Sequence, residues 1–241
     1  PRAGENHEQA VHREVNNTRS KLGLLDASTL GKIIVKGPDA GRFLDMLYTG
    51  VMSNLAIGKC RYGLMCNEQG FLSDDGVVIR LSEDSWLCHT TTGGADRIHA
   101  WMEDWLQCEW WDWQVYTANV TEQYAQVAVV GPNARKLLEK LGGMDVSKEA
   151  LPFMQWAEGD IAGIPARIFR ISFSGELSYE IAVPANLIPF LVLRIERSIA
   201  AARDVVAKLD GLALALGRPV TRALAAAYMA PPDGLDSADA D

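Results

Sequence analysis

With 241 residues, 48% of them hydrophobic and 22% charged, the chain has the make-up of a globular protein able to bury a sizeable core, as one domain or two closely packed ones. A net charge of −8 argues against nucleic acid or an anionic membrane as partner, since either needs a basic face. It leaves room for an anionic small ligand in a locally positive pocket.

The 4 cysteines, Cys60, Cys66, Cys88 and Cys108, have no short paired spacing, so free thiols are expected rather than a zinc cluster or redox pair. The polar opening stretch holds no apolar secretory segment, which together with free thiols fits a cytoplasmic setting. Pro1 stands where an initiator Met is expected, so the chain reads as a domain cut from a longer polypeptide.

In chain order, a helix is predicted over 8–22, with Ala10, Val11, Val15 and Leu22 near one face and Gly23 as its stop. A short strand follows over 32–36. Gly37-Pro38-Asp39-Ala40 then opens a helix bearing Phe43, Leu44 and Leu47. Residues 61–92 read as three strands, with turns at Asn67-Glu68-Gln69-Gly70 and Ser82-Glu83-Asp84-Ser85.

Gly93-Gly94 leads into a helix whose buried stripe is Ile98, Trp101, Met102, Trp105 and Leu106. Of the Trp cluster that follows, Trp110, Trp111 and Trp113 read as exposed and suited to a subunit contact. Strands are expected over 115–120 and 125–130, a helix over 133–141 and a hairpin over 164–183. An Ala/Leu/Arg-rich helical region then runs to about Leu216, and the acidic tail over 231–241 reads as disordered.

Gly37-Pro38-Asp39-Ala40 and Gly131-Pro132-Asn133-Ala134 each follow an apolar strand and open a helix. Either a strand-then-helix unit is used twice in an α+β fold, or Gly-Pro punctuates two unrelated helices. The organisation expected is a core over 1–184, a divergent helical region over 185–230 and the tail.

Two stretches carry the candidate chemistry. In Phe71-Leu72-Ser73-Asp74-Asp75-Gly76 the adjacent carboxylates must point to opposite faces of a strand. Asp75 shares its parity with Phe71, Val77, Ile79 and Leu81, the more apolar face. Asp74 shares its parity with Arg80 and is the easier one to solvate, unless Gly76 marks a bulge. A buried Asp75 needs a partner, either a ligand or the backbone N–H groups of a strand end.

In the second stretch, Ser174-Gly175-Glu176 is the turn, with Glu176 solvated, and Glu180 lies in the returning strand. Held inward, Glu180 accepts two parallel N–H bonds from a planar heterocycle; otherwise it faces water. His7, His12, His89 and His99 have no metal-ligand spacing, and no GxSxG, P-loop or GxGxxG sequence occurs.

These stretches, with Gly23-Leu24-Leu25-Asp26-Ala27-Ser28-Thr29-Leu30-Gly31-Lys32, Arg61-Tyr62-Gly63-Leu64-Met65-Cys66, Thr90-Thr91-Thr92-Gly93-Gly94-Ala95 and Ser172-Phe173-Ser174-Gly175-Glu176-Leu177-Ser178-Tyr179-Glu180, resemble the aminomethyltransferase family. That family includes the glycine-cleavage T-protein. The likeness runs from about Arg13 to Pro184 and is nearest the folate-binding domain of heterotetrameric sarcosine oxidase alpha subunits.

The resemblance implies an α+β, T-protein-like fold of antiparallel sheets with packed helices, and a tetrahydrofolate pocket in its middle. It implies that Asp75 is the catalytic carboxylate near the carbon-accepting nitrogens and that Glu180 binds the pterin. Tyr62 and Phe173 fall at aromatic pocket walls, with Phe173 replacing a T-protein Tyr, and Thr91 stands where the T-protein has Asn. Flavin-carrying oxidase subunits are the implied partners, although this chain has no flavin or NAD motif. A non-catalytic folate-binding subunit and a free-standing aminomethyltransferase are the alternatives. The match fades after Pro184, as though the usual C-terminal part were truncated; Ala201-Ala202-Arg203-Asp204 is a faint trace of the family's arginine segment.

Overall fold

A capping box starts the first helix of the computed structural model, which describes residues 2–185. The Asn6 side chain accepts the Gln9 N–H at 2.8 Å, and the Gln9 side chain accepts the Asn6 N–H at 3.0 Å. Helix α1 (His7–Ser20) buries only Ala10; Val11 and Val15, expected on a buried face, are exposed. Two valines on an otherwise polar helix give too narrow a stripe to sink it into the core.

The strands are β1 (Gly23–Asp26), β2 (Gly31–Lys36), β3 (Cys60–Cys66), β4 (Leu72–Ser82), β5 (Ser85–Thr90), β6 (Tyr116–Asn119), β7 (Tyr124–Val130), β8 (Trp156–Ile161), β9 (Ile164–Phe169) and β10 (Ser178–Pro184). They form two five-stranded sheets, ordered β3-β4-β5-β2-β6 and β1-β7-β10-β9-β8. Every pairing is antiparallel. The remaining helices are α2 (Ala40–Leu47), α3 (Ala95–Cys108) and α4 (Ala134–Leu141). The α+β reading holds.

Alternation decides what each face buries. On the first sheet, Ile33, Val35, Val78, Trp86 and Cys88 pack against Phe43 and Leu44 of α2 and Ile98 and Met102 of α3. On the second, Val129 and Tyr179 pack with Leu138 of α4. The opposite faces meet: Cys60, Ile79 and Leu87 from one sheet close on Phe169, Ile171 and Ala182 from the other side. The order is therefore helices, sheet, sheet, helix.

The strand-then-helix unit occurs twice, once per sheet. Gly37 and Gly131 sit at φ +133° and +122°, and the following Ala40 and Ala134 N–H groups bond back to them at 3.0 and 2.9 Å. A Cβ on Gly37 would lie 2.1 Å from the Gln114 carbonyl, so any side chain there strains the turn and forces the backbone to shift.

Two strands escape the sequence pattern. In β1, adjacent Leu24 and Leu25 break alternation; in β8, Glu158, Gly159 and Asp160 are poor strand formers recruited by pairing with β9. Trp110 and Trp113, expected to be exposed, pack partly buried against the first core with their rings stacked 4.9 Å apart. Trp111 alone of the three is exposed. Residues 185–230 and the tail lie outside the described residues apart from Ala185.

Gly37→Ala should cost about 2 kcal/mol through strain and steric overlap. Urea unfolding of the variant reads this as a lowered midpoint with an unchanged slope.

Candidate functional site

The two adjacent carboxylates of β4 do part to opposite faces, but in the opposite sense from that expected. Asp74, not Asp75, is the buried one, at 3% exposure, while Asp75 is half-buried. The reason is that both faces of this sheet are covered. Asp74 shares the face of Val78, packed under the helices, whereas Asp75 shares the face of Ile79, turned to the second sheet. The irregularity in the β3–β4 pairing lies beside Ser73 rather than at Gly76. Gly76 is instead a close approach, where a Cβ would meet the His89 carbonyl at 2.0 Å.

Asp74 is fully satisfied from within. Its carboxylate accepts the Thr91 N–H at 3.0 Å, the Thr91 hydroxyl at 3.1 Å and an Arg97 N–H at 3.3 Å. Gly94 makes room for it, since a Cβ there would stand 2.1 Å from Asp74 Oδ2. The Thr-Thr-Thr-Gly-Gly stretch is thus a clamp on Asp74, and the Thr91 hydroxyl, expected to meet a ligand, is spent inside it.

Asp75 lies at the end of the inter-sheet space. The Tyr62 hydroxyl donates to Asp75 Oδ2 at 2.6 Å, so these two expected site residues come together. Their rim is open and apolar: Tyr62, Leu64, Phe71 and Leu72 are all exposed. Phe173 does not form a wall among the described residues. It stands free at 101% exposure, on a loop whose turn is fixed by the Ser172 hydroxyl donating to the Glu176 carbonyl at 2.7 Å. Glu176, expected to be solvated, pairs with Arg19 of α1 at 2.8 Å.

Glu180 points inward, at 8% exposure. The Gln126 amide donates to its Oε2, and burial raises its pKa against the opposing pull of Gln126 and Lys32. Lys32 enters the same space from the other sheet. Burial lowers its ammonium to about 8, partly offset by Glu180 and then Asp26. Next to it, His89 pairs in register with Lys32 and packs edge-on against Phe169 with ring centroids 5.3 Å apart. Burial, reinforced by Lys32, pushes His89 down to about 3, so its ring is neutral.

Gln126 Oε1 and His89 Nε2 are buried without a hydrogen-bond partner. Such orphan atoms are uncommon in a settled core and mark where an incoming polar group would be welcome. A planar heterocycle with an N–H edge fits this set: a buried carboxylate, a spare carbonyl and flat ring surfaces. Among the described residues no group of three or more His, Cys, Asp or Glu is placed to hold a metal ion. No helix there is long and apolar enough to cross a membrane. A groove beside α1, lined by Arg2, Arg13, Asn16, Asn17, Ser20 and Lys21, shares no residue with this inter-sheet cluster, and Arg13 is already paired with Glu5 at 2.8 Å.

Sequence reasoning missed Lys32, Gln126 and His89. The signal was present for Lys32, a charge at an inward parity of the otherwise apolar Ile33-Ile34-Val35 strand. Gln126 had an equivalent one, within Ala125-Gln126-Val127-Ala128 of β7.

Two measurements check this assignment of faces. Asp74→Ala should lower unfolding free energy by about 3 kcal/mol, since it removes the buried carboxylate that accepts from Thr91 and Arg97, while Asp75→Ala should change it by less than about 1. His89 binds a proton more weakly folded than unfolded, so the native state loses stability as pH falls from 6.5 towards 3. In that window His89→Leu should flatten the pH dependence of stability by up to about 1.4 kcal/mol per pH unit.

A family model described as the GCVT N-terminal domain matches residues 2–199 of this chain. Sarcosine oxidase subunit alpha of Corynebacterium sp. (strain U-96) is 51% identical over 187 residues, covering 77% of this chain and 19% of that protein. An aminomethyltransferase of Listeria monocytogenes serotype 4b (strain CLIP80459) is 35% identical over 176 residues, 73% of this chain and 47% of the relative. The chain therefore spans less than half the length of either relative.

Among solved structures, glycine cleavage system aminomethyltransferase T from Bartonella henselae superposes with a TM-score of 0.64 at 28% identity, over 83% of this chain and 54% of that one. The heterotetrameric sarcosine oxidase of Corynebacterium sp. U-96 in complex with pyrrole 2-carboxylate gives a TM-score of 0.50 at 14% identity, over 75% and 87% of the two chains, a likeness of fold alone.

Proposed function

The chain belongs to the GCVT N-terminal domain family, and from that premise we propose that it binds tetrahydrofolate between its two sheets and hosts a one-carbon transfer. The finer reading is that sarcosine, oxidised to an imine by flavin-carrying subunits, delivers its carbon here to give 5,10-methylenetetrahydrofolate. The 51% identity to a sarcosine oxidase alpha subunit supports that branch over a free-standing aminomethyltransferase.

When bound, a reduced folate supplies the nucleophilic nitrogens that take up the carbon unit. The protein's part is to place and polarise. Glu180 accepts N–H groups of the pterin edge, and Gln126 fixes its Oε2 so that Oε1 is presented. The Tyr62 hydroxyl holds Asp75 Oδ2, which leaves Asp75 Oδ1 to face a developing positive charge or to take a proton. Phe173 stands fully exposed and has no part in this set among the described residues, while Thr91 contributes indirectly by holding Asp74.

The observation that carries this reading is that a half-buried, Tyr62-bound Asp75 and a buried Glu180 both lie on the strand faces turned to the inter-sheet core. Asp75→Asn, assembled with the oxidase subunits and given sarcosine and tetrahydrofolate, should lose methylene capture by about a hundredfold or more. Calorimetry should find its folate affinity within a few-fold of the unsubstituted protein. Formaldehyde released in place of the folate product is the expected signature; undiminished folate product would remove the catalytic role of Asp75. Folate binding with no product from the unsubstituted protein would make this a binding subunit.

A further inference from the structure

Lys32 is buried to 1% exposure, and its ammonium donates to the carbonyls of Ser28 at 3.1 Å and Leu30 at 2.7 Å. An ammonium carries three N–H donors, so one remains. Buried cations are ordinarily neutralised by a carboxylate. Among the described residues the ion pairs involve Arg13, Arg19, Arg97, His99 and Arg167, and Lys32 is in none of them.

The buried carboxylate that faces it, Glu180, belongs to the other sheet. Lys32 shares its strand face with Ile34, and Glu180 shares its face with Ala182, both packed in the inter-sheet core. The two charges thus look at each other across that space without closing into an ion pair. Around them, Gln126 Oε1 and His89 Nε2 also lack partners. Four polar groups from four strands converge on one space with donors and acceptors left over. A loop pin alone explains the two carbonyl bonds of Lys32, but not the open pair or the orphan atoms.

We propose that Lys32 is a second ligand-reading group of this inter-sheet polar cluster, its remaining N–H donating to a ring carbonyl that adjoins the N–H edge bound by Glu180. The ligand class is a fused pyrimidinone, in which C=O, ring N–H and exocyclic amine lie in a row. This rests on the assignment of Glu180 as the pterin-binding carboxylate. Opposite charges then read opposite members of one edge: the carboxylate takes the N–H groups and the ammonium takes the oxygen. The four-carbon stem of Lys32 lets the ammonium follow a ring seated on Glu180. Such an edge also closes the electrostatic gap, because each buried charge gains a hydrogen bond to a neutral dipole.

The test titrates the 241-residue chain, by calorimetry, with 5-formyltetrahydrofolate and with its 4-thioxo counterpart. The thioxo ligand keeps every ring N–H but is a poor acceptor at the one position Lys32 would read. The unsubstituted protein should bind it about tenfold more weakly, and Lys32→Met should bind the oxo ligand about ten- to a hundredfold more weakly while no longer telling the two apart. Equal affinity of the unsubstituted protein for both ligands overturns the proposal, even if the variant fails to fold. So does a folded Lys32→Met that keeps the original affinity or the original discrimination. Glu180→Gln separates the two levels of the argument. If that change weakens binding and Lys32→Met does not, only the Lys32 proposal fails; if Glu180→Gln binds like the unsubstituted protein, the pterin assignment fails with it.

Discussion

Side chains on a strand alternate, so two consecutive aspartates cannot serve the same purpose. In β4 this constraint divides the work. Asp74 turns under the helices and is engaged by Thr91 and Arg97, which ties the Thr91 segment and the first turn of α3 to β4. Asp75 is left on the other face with a single bond from Tyr62. The clamp fixes the strand's rotation, and the rotation decides which carboxylate meets the inter-sheet space. Gly94 is part of the same device, since any side chain there would push Asp74 out of its seat.

The inter-sheet space itself has two characters. Ile79, Leu87, Phe169 and Ala182 line it with apolar contact. Directly beside these, Lys32, His89, Gln126 and Glu180 are buried with part of their bonding capacity unused. Each unsatisfied buried atom costs about 1–3 kcal/mol, a cost that the apolar contacts and the two helix-backed cores must offset. Tyr48 OH and Trp86 Nε1 in the first core are also without partners, but only between the sheets do such atoms stand beside a buried carboxylate and a buried ammonium, the pattern expected of a site built to receive something polar.

Much of the fold was legible because its signals are local. Phe43, Leu44 and Leu47 in α2 and Ile98, Met102 and Leu106 in α3 announce helices, and all six are buried. The repeated Gly-Pro turn forecast the same strand-to-helix corner in both sheets. What failed needed knowledge of the third dimension. Parity separated Asp74 from Asp75, but ranking the faces by apolarity went wrong, because a sheet covered on both sides has no solvent face. Strand β8 exists through its partner β9, and the polar residues of β8 do not predict it. Glu180 was picked out through family resemblance, while Lys32, which closes a family-like motif but was given no role, and Gln126, with no motif around it, emerged only when the sheets were seen face to face.

A crystal structure of the chain soaked with 5-formyltetrahydrofolate tests the central claim most directly. The account places the pterin between the sheets, its N–H edge against Glu180 Oε1 and its carbon-accepting nitrogens towards Asp75. A ligand seated elsewhere, such as the groove beside α1, with Glu180 still bonded to Gln126 alone, would contradict it.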